Sequence, residues 1–155
     1  MDQLCTKRIL FAPVPVVNNT CRVGEISYYL DSINRVVQVQ ATFKNIPTSV
    51  RKPYWQRKVV QKTVGLNKGY QGGHLIAHRF GGIPHLINLV PMRADINQGR
   101  YKSMENCLAK LIKNDQSVAL TINLIYPQVP HPLNLVPNQI ETIIVKNDLQ
   151  VYYDI

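Results

Sequence analysis

The stretch that decides the reading runs from Gln71 to Glu105: QGGHLIAHRFGGIPHLINLVPMRADINQGRYKSME. It holds His74, His78 and His85, the glycine pairs Gly72-Gly73 and Gly81-Gly82, the asparagines Asn88 and Asn97 and, at its end, Glu105. A helix fits from Asp95 to about Lys113: Asp95 can cap its start, and Asn114 sits near its end. Tyr101, Met104, Leu108 and Leu111 recur at helical spacing and give it a buried stripe. Gly99 weakens the first turn without forbidding it. Asn97, Tyr101 and Glu105 stand at i, i+4 and i+8, within ~80° of one face at ~100° per residue.

Working outward, Glu25–Leu30 and Arg35–Phe43 read as paired strands around a turn at Asp31–Asn34. In the second strand Val37, Val39, Ala41 and Phe43 share one face, and Gln38, Gln40 and Thr42 the other, the period of a half-buried antiparallel strand. Residues 44–70 read as basic and irregular, with Pro47, Pro53 and Trp55. The short apolar run Ile87–Val90 precedes the helix. Beyond it, Ser117–Tyr126 alternates again, with Val118, Leu120, Ile122 and Leu124 inward. Pro127–Pro137 holds four prolines and reads as a loop or sheet edge. Gln139–Val145 and Leu149–Tyr153 flank Lys146-Asn147-Asp148 as a closing hairpin. The tetrapeptide NLVP recurs at Asn88 and Asn134 but is too short to mark a repeat architecture. Strands, one main helix, then strands make an α+β domain. Its expected bounds are 22–155, with residues 1–21 as an arm or linker.

The chain has 155 residues, enough for one domain, and 45% hydrophobic residues, enough for a core. No run of 18 or more apolar residues is present, which excludes a membrane-spanning helix, and the N-terminus shows no secretory signal pattern. Cys5, Cys21 and Cys107 lack metal-knuckle spacing; Cys5 and Cys21 could pair, or all three could be free thiols. The formal net charge of +9 favours a polyanionic partner. Its distribution sharpens the point: no Asp or Glu occurs between Asp31 and Asp95, while Arg35, Lys44, Arg51, Lys52, Arg57, Lys58, Lys62, Lys68, Arg79 and Arg93 all do. Such a stretch repels itself, and a phosphate backbone would neutralise it.

The central stretch offers matching chemistry. Asn97, at the positive end of the helix dipole, suits an incoming phosphate oxygen, and its carbonyl is a hard ligand suited to Mg²⁺. Glu105 can hold the waters of such an ion without touching it. His74 follows glycines that let the backbone pass close to a bulky substrate, and a neutral imidazole near pH 7 can serve as a base. Phosphodiester hydrolysis needs such a base, a cation to offset charge, and help for the leaving oxygen. Singly, each residue has a plainer role: helix-start residue, solvated acid, structural histidine. The His74/His78 spacing of i, i+4 invites a zinc-helix reading, but that motif needs Glu where Leu75 stands. His78 is then a substrate contact or a packed side chain, and His85 a loop residue.

The spacing as a whole resembles the DNA/RNA non-specific endonucleases of the ββα-metal (His-Me finger) class. Their motif reads roughly D-x-G-H, then N-(I/L)-(V/T)-P, then N-x-G-x-(Y/W)-x-x-(M/L)-E. The matching residues are Gly73-His74, Asn88-Leu89-Val90-Pro91, and Asn97-Gln98-Gly99-Arg100-Tyr101-Lys102-Ser103-Met104-Glu105. The segments ISYYLDSINRVVQVQA and HLIAHRFGG are similar to the branch used as C-terminal domains of bacterial polymorphic toxins. The resemblance covers residues 23 to 154, most closely 73–105.

What the resemblance implies is an antiparallel sheet with a ββα-metal core and one main helix carrying the metal ligand. His74 would be the general base, Asn97 the direct ligand of one Mg²⁺ (with Mn²⁺ able to substitute), Glu105 the holder of its water shell, and Asn88 a residue that orients the site. Cleavage would leave a 5′ phosphate. The usual acid three before the histidine is Gln71 here, and the Arg often two before it is Gly72, so the phosphate clamp would pass to Arg79, Arg93 or Arg100, or be absent. An aromatic often found after the Met-Glu pair is also missing; Cys107 and Leu108 stand there. Arg51, Lys52, Arg57, Lys58, Lys62, Lys68, His78 and Arg93 would bind backbone without reading sequence. The implied substrate is DNA, with RNA as a second candidate. The implied setting is a secreted toxin module acting in the target-cell cytoplasm and neutralised by a cognate acidic immunity protein. Two alternatives stand beside it: a catalytically silent nucleic-acid binder, and a housekeeping nuclease for nutrient uptake or DNA entry.

Overall fold

The structure, a computed structural model, describes residues 16–17, 19–45, 54–63, 69–112, 116–129 and 133–155. Seven strands form one antiparallel sheet in the order β1 (Val16–Val17), β2 (Thr20–Val23), β3 (Ile26–Leu30), β4 (Val36–Phe43), β7 (Val118–Ile125), β8 (Gln139–Lys146) and β9 (Leu149–Asp154). The chain leaves this sheet after β4 and returns beside it at β7. In between lie helix α1 (Tyr54–Thr63), a separate hairpin of β5 (Tyr70–His74) and β6 (Leu89–Arg93), and the long helix α2 over residues 94–112.

The sheet is one-sided, as its alternation requires. Tyr28, Val39, Ala41, Phe43, Val118, Leu120 and Ile122 face a core shared with Tyr101, Met104, Leu108 and Ile112 of α2. On the other face Tyr29, Gln38, Gln40 and Asn123 form a chain of side-chain hydrogen bonds. In β4 the inward residue at the start is Val36, not Val37: the pairing shifts register between Tyr29 and Leu30, so Leu30 opposes Val36. One step of register exchanges the faces.

Four further departures from the sequence expectation are plain. Thr20–Val23 is a strand and Cys21 is fully buried, so part of the stretch read as an arm belongs to the sheet. Cys5 lies outside the described residues. Within the region read as irregular, Tyr54–Thr63 is a helix, docked on β5 and β6 and burying Val60. Helix α2 begins at Ala94, and Asp95 does not cap it; its carboxylate pairs with the Arg93 guanidinium at 2.7 Å. The fourth member of its buried stripe is Ile112 rather than Leu111.

Candidate active site

The hairpin β5–β6 followed by α2 makes a ββα unit. His74 ends β5, opposite Leu89 of β6. The 14 residues from Leu75 to Asn88 fold back tightly between the two strands. Asn88, with no exposed surface, is the strut of that loop. Its Oδ1 accepts hydrogen bonds from the Ile76 amide (2.8 Å) and the Tyr28 hydroxyl (3.0 Å). Its Nδ2 donates to the carbonyls of Ile76 (2.8 Å) and Ile83 (3.2 Å). Two donors and an acceptor with two lone pairs are thus fully used, which satisfies a buried amide. Gly82 lets the loop close: a Cβ there would sit 2.6 Å from the Ile76 carbonyl carbon and 2.8 Å from Asn88 Nδ2. From the α2 side, the Tyr101 hydroxyl donates to the Leu75 carbonyl at 2.8 Å.

Helix α2 is not uniform. Ala94–Ile96 is α-helical, Asn97–Tyr101 forms one π turn, and Lys102–Ile112 is α-helical again. The wide turn has a geometric consequence. A residue in a π turn advances about 82° rather than about 100°. Four steps of each bring Glu105 to within about 10° of Asn97, where a straight helix leaves about 80° between them.

These elements enclose a polar cleft of about 350 Å³ lined by Gln56, His74, Ala77, His78, Arg79, Asn97, Gln98, Lys102 and Glu105. His74 comes from β5, Ala77 from the loop, His78 and Arg79 from a short 3-10 turn (His78–Phe80), Gln56 from α1, and Asn97, Gln98, Lys102 and Glu105 from α2. Glu105 Oε2 lies 3.9 Å from Arg79, whose guanidinium also donates to Asn106 Oδ1 at 2.9 Å. Burial holds the Glu105 carboxyl above its ordinary range, against the opposing pull of Arg79 and Lys102. At the other end, Gln71 Oε1 accepts from both Asn97 Nδ2 (2.9 Å) and Gln98 Nε2 (3.0 Å). That leaves the Asn97 carbonyl oxygen for the cleft.

The structure thus brings together His74, His78, Arg79, Asn97 and Glu105. Asn88 is not among them; it touches the loop and not the cleft. Arg100 is exposed and outside the cleft lining. Arg93 is tied to Asp95 and borders a different, apolar cavity near the C-terminus. Arg57 and Lys58 lie on α1. Arg51, Lys52 and Lys68, and the side chain of Lys62, lie outside the described residues. His85, expected as a loop residue, is in a loop but buried, and burial depresses its basicity. Sequence reasoning missed Gln56, Ala77, Gln98 and Lys102 as cleft residues. Lys102 stood inside the motif and its signal was the π turn, which presents position i+5 beside Asn97. Gln56 gave no signal, because the helix carrying it was read as irregular.

The fold and this cleft define the ββα-metal finger class. Sequence comparison matches residues 16–144 to the DNA/RNA non-specific endonuclease family, and the chain belongs to that family. It is a nuclease by that membership. Among solved structures, one similar fold is NucA from Streptococcus agalactiae, determined with a magnesium ion bound: TM-score 0.62, 14% identity, covering 89% of this chain and 75% of that one. A second is the Sda1 nuclease with a bound zinc ion, with TM-score 0.59, 15% identity, and 88% and 74% coverage. A third, described as an extracellular endonuclease, has TM-score 0.55, 21% identity, and 91% and 71% coverage. No helix among the described residues is long and apolar enough to cross a membrane.

Proposed function

We propose that this chain is a divalent-metal-dependent endonuclease that hydrolyses DNA, and RNA as a second substrate, with Mg²⁺ as its ion and Mn²⁺ as a substitute. The observation that carries the reading is the convergence of His74, Arg79, Asn97 and Glu105 on one polar cleft at the ββα junction. The donor set fits a hard cation that keeps most of its waters. Asn97 offers a carbonyl oxygen whose amide nitrogen is already engaged by Gln71. Glu105, with only 20% of its side chain exposed, is a largely buried carboxylate 3.9 Å from Arg79. Among the described residues no group of three His, Cys, Asp or Glu could chelate an ion, which suits a site of one protein ligand and several waters. Such an ion, held by Asn97 and by waters on Glu105, would offset the charge on the phosphorane and the departing oxygen.

The chain's own groups do the rest. His74 takes a proton from a water whose oxygen forms the new bond to phosphorus. The bond from phosphorus to the 3′ oxygen breaks; that oxygen takes a proton from solvent, and the 5′ phosphate leaves. Arg79 and Lys102 bind the phosphate, and Gln71 keeps the Asn97 carbonyl turned inward. The acid-free stretch between Asp31 and Asp95 favours phosphate backbone over base edges, hence a substrate range without sequence preference.

The finer setting we propose is the effector module of an interbacterial toxin, with an acidic immunity protein covering the basic surface. The hairpin and His74–Gly82 segments that resemble polymorphic-toxin domains support it. A second reading, a nuclease for nutrient uptake or DNA entry, is favoured by the similar fold described as an extracellular endonuclease.

Digestion of plasmid DNA and total RNA with Mg²⁺ and with EDTA, with His74→Ala as control, tests the activity. Cleavage that needs both metal and His74 is expected. Binding without cleavage by the folded wild type would instead establish the silent binder. Growth arrest on cytoplasmic expression, relieved by an acidic protein encoded beside it, is the outcome expected of the toxin.

A further inference from the structure

Arg79 is held by more than the loop that carries it. Its guanidinium donates to Asn106 Oδ1 at 2.9 Å. The guanidinium carbon lies 4.9 Å from the centre of the Phe80 ring, which is buried and packed on Phe43 at 5.8 Å between ring centres. The same terminal nitrogen that donates to Asn106 stands 3.9 Å from Glu105 Oε2, beyond hydrogen-bond range. A charge-assisted bond between guanidinium and carboxylate closes to about 2.7–2.9 Å, so a shift of about 1 Å would seal this pair. Once sealed, the two groups would neutralise each other. Arg79 would lose donors for a phosphate, and Glu105 would lose acceptors for the waters of an ion. Asn106 offers the guanidinium an acceptor that carries no charge. It engages one of several N–H donors and leaves the positive charge uncompensated. We propose that Asn106 is a positioning residue for Arg79: its amide oxygen holds the guanidinium over Phe80 and short of Glu105, so that both charges stay available to the cleft. Asn106 lies on α2 directly after Glu105, is exposed, and is not among the cleft-lining residues. The inference rests on Arg79 being the phosphate clamp and on Glu105 holding the metal's waters.

The test is binding of a fluorescent duplex oligonucleotide in EDTA, read by anisotropy, to wild type, Asn106→Ala, Arg79→Ala and the double variant. Neither metal nor cleavage enters that measurement. Asn106→Ala should weaken binding about three- to tenfold, less than Arg79→Ala does, and should add no loss once Arg79 is gone. Calorimetry of Mg²⁺ should show the same dependence: Asn106→Ala weakens the ion when Arg79 is present and not when it is absent. In steady-state cleavage at saturating Mg²⁺ the loss should fall on KM rather than kcat. A merely structural role would cost the same with and without Arg79, and that result would overturn the proposal. So would wild-type affinity in Asn106→Ala, or in Arg79→Ala. An Mg²⁺ affinity unmoved by Asn106→Ala would remove Glu105 from it. A wild type that shows the coupling in EDTA but cleaves nothing with Mg²⁺ would sink the nuclease reading and keep the hold on Arg79. An active wild type without the coupling would do the reverse.

Discussion

Replacing Gly72 by Ala should cripple the enzyme while leaving its fold recognisable. The added Cβ would stand 2.6 Å from the Gln56 Cα, where ordinary contact begins near 3.4 Å. Both neighbours are backbone, so neither can rotate away; β5 and α1 must separate by at least the 0.8 Å between those distances. Overpacking of this kind costs about 1–3 kcal/mol. The same shift withdraws Gln56, whose Nε2 lies 3.4 Å from His74 Nδ1, and a misplacement of about 1 Å near the chemistry can cost about 10²-fold in rate. The assay is thermal unfolding beside kcat on plasmid DNA. The expected result is a lower Tm, intact far-ultraviolet circular dichroism and a large loss of kcat. Gly99→Ala is the control. That glycine has nothing within 4 Å of its would-be Cβ and no positive φ, so Ala should raise stability, by up to about 1 kcal/mol. A Gly72→Ala protein with wild-type Tm and kcat would refute the idea that close α1–β5 contact shapes the site.

Other outcomes follow from the same geometry. Arg79→Ala should weaken substrate affinity by about 1.5–3 kcal/mol, the value of a hydrogen bond to a charged group, while Arg93→Ala and Arg100→Ala change it little; equal losses from all three, by filter binding, would remove Arg79 as the clamp. Asn97→Ala should raise the Mg²⁺ concentration needed for half-maximal cleavage; an unchanged metal titration would exclude it as the ligand. Burial raises the phenols of Tyr28 and Tyr101, helped at Tyr28 by Cys21 and at Tyr101 by Glu105. Their protons are kept in the folded state and lost in the unfolded one, so stability should fall as pH rises above about 10, by up to about 1.4 kcal/mol per pH unit for each phenol. Tyr28→Phe should reduce that slope in urea titrations at pH 9 to 11, and a slope that does not change would show that Tyr28 ionises freely.

Strands β3, β4, β7, β8 and β9 and helix α2 were legible because their signals are local. Val118–Ile125 alternates without interruption, and the buried Tyr101, Met104 and Leu108 repeat at helical spacing. What escaped depended on contacts distant in sequence. Helix α1 has ten residues and, among those whose side chains are described, buries one apolar residue, Val60; an isolated helix of that length is marginal, and docking on β5 supplies its stability. The choice of Val36 over Val37 was set by a pairing irregularity in the neighbouring strand. At the site, the motif identified His74, Asn97 and Glu105. It could not tell a cleft residue from a strut, and Asn88 proved to be the strut. Nor could residue spacing tell which of the three arginines lines the cleft; the loop fold brings Arg79 there.

Two of the three departures from the family motif, Gly72 and Gln71, are connected through that loop and helix. Where an arginine often stands two before the histidine, this chain has Gly72, and the Gln56 backbone occupies the space a side chain would need. Positive charge enters the cleft from the opposite wall instead, on Arg79 of the loop and Lys102 of α2. Three before the histidine, Gln71 is neutral where an acid is usual, yet its Oε1 still accepts from Asn97 and Gln98. It keeps the orienting contact and gives up the charge. With one carboxylate fewer near the ion, Glu105 becomes the chief negative group in the cleft, so metal affinity should depend on it more steeply than on Gln71. Gln71→Asp should then lower the Mg²⁺ requirement, and Glu105→Gln should raise it much further. Isothermal titration of Mg²⁺ into each variant reads both, and equal shifts from the two would break the argument.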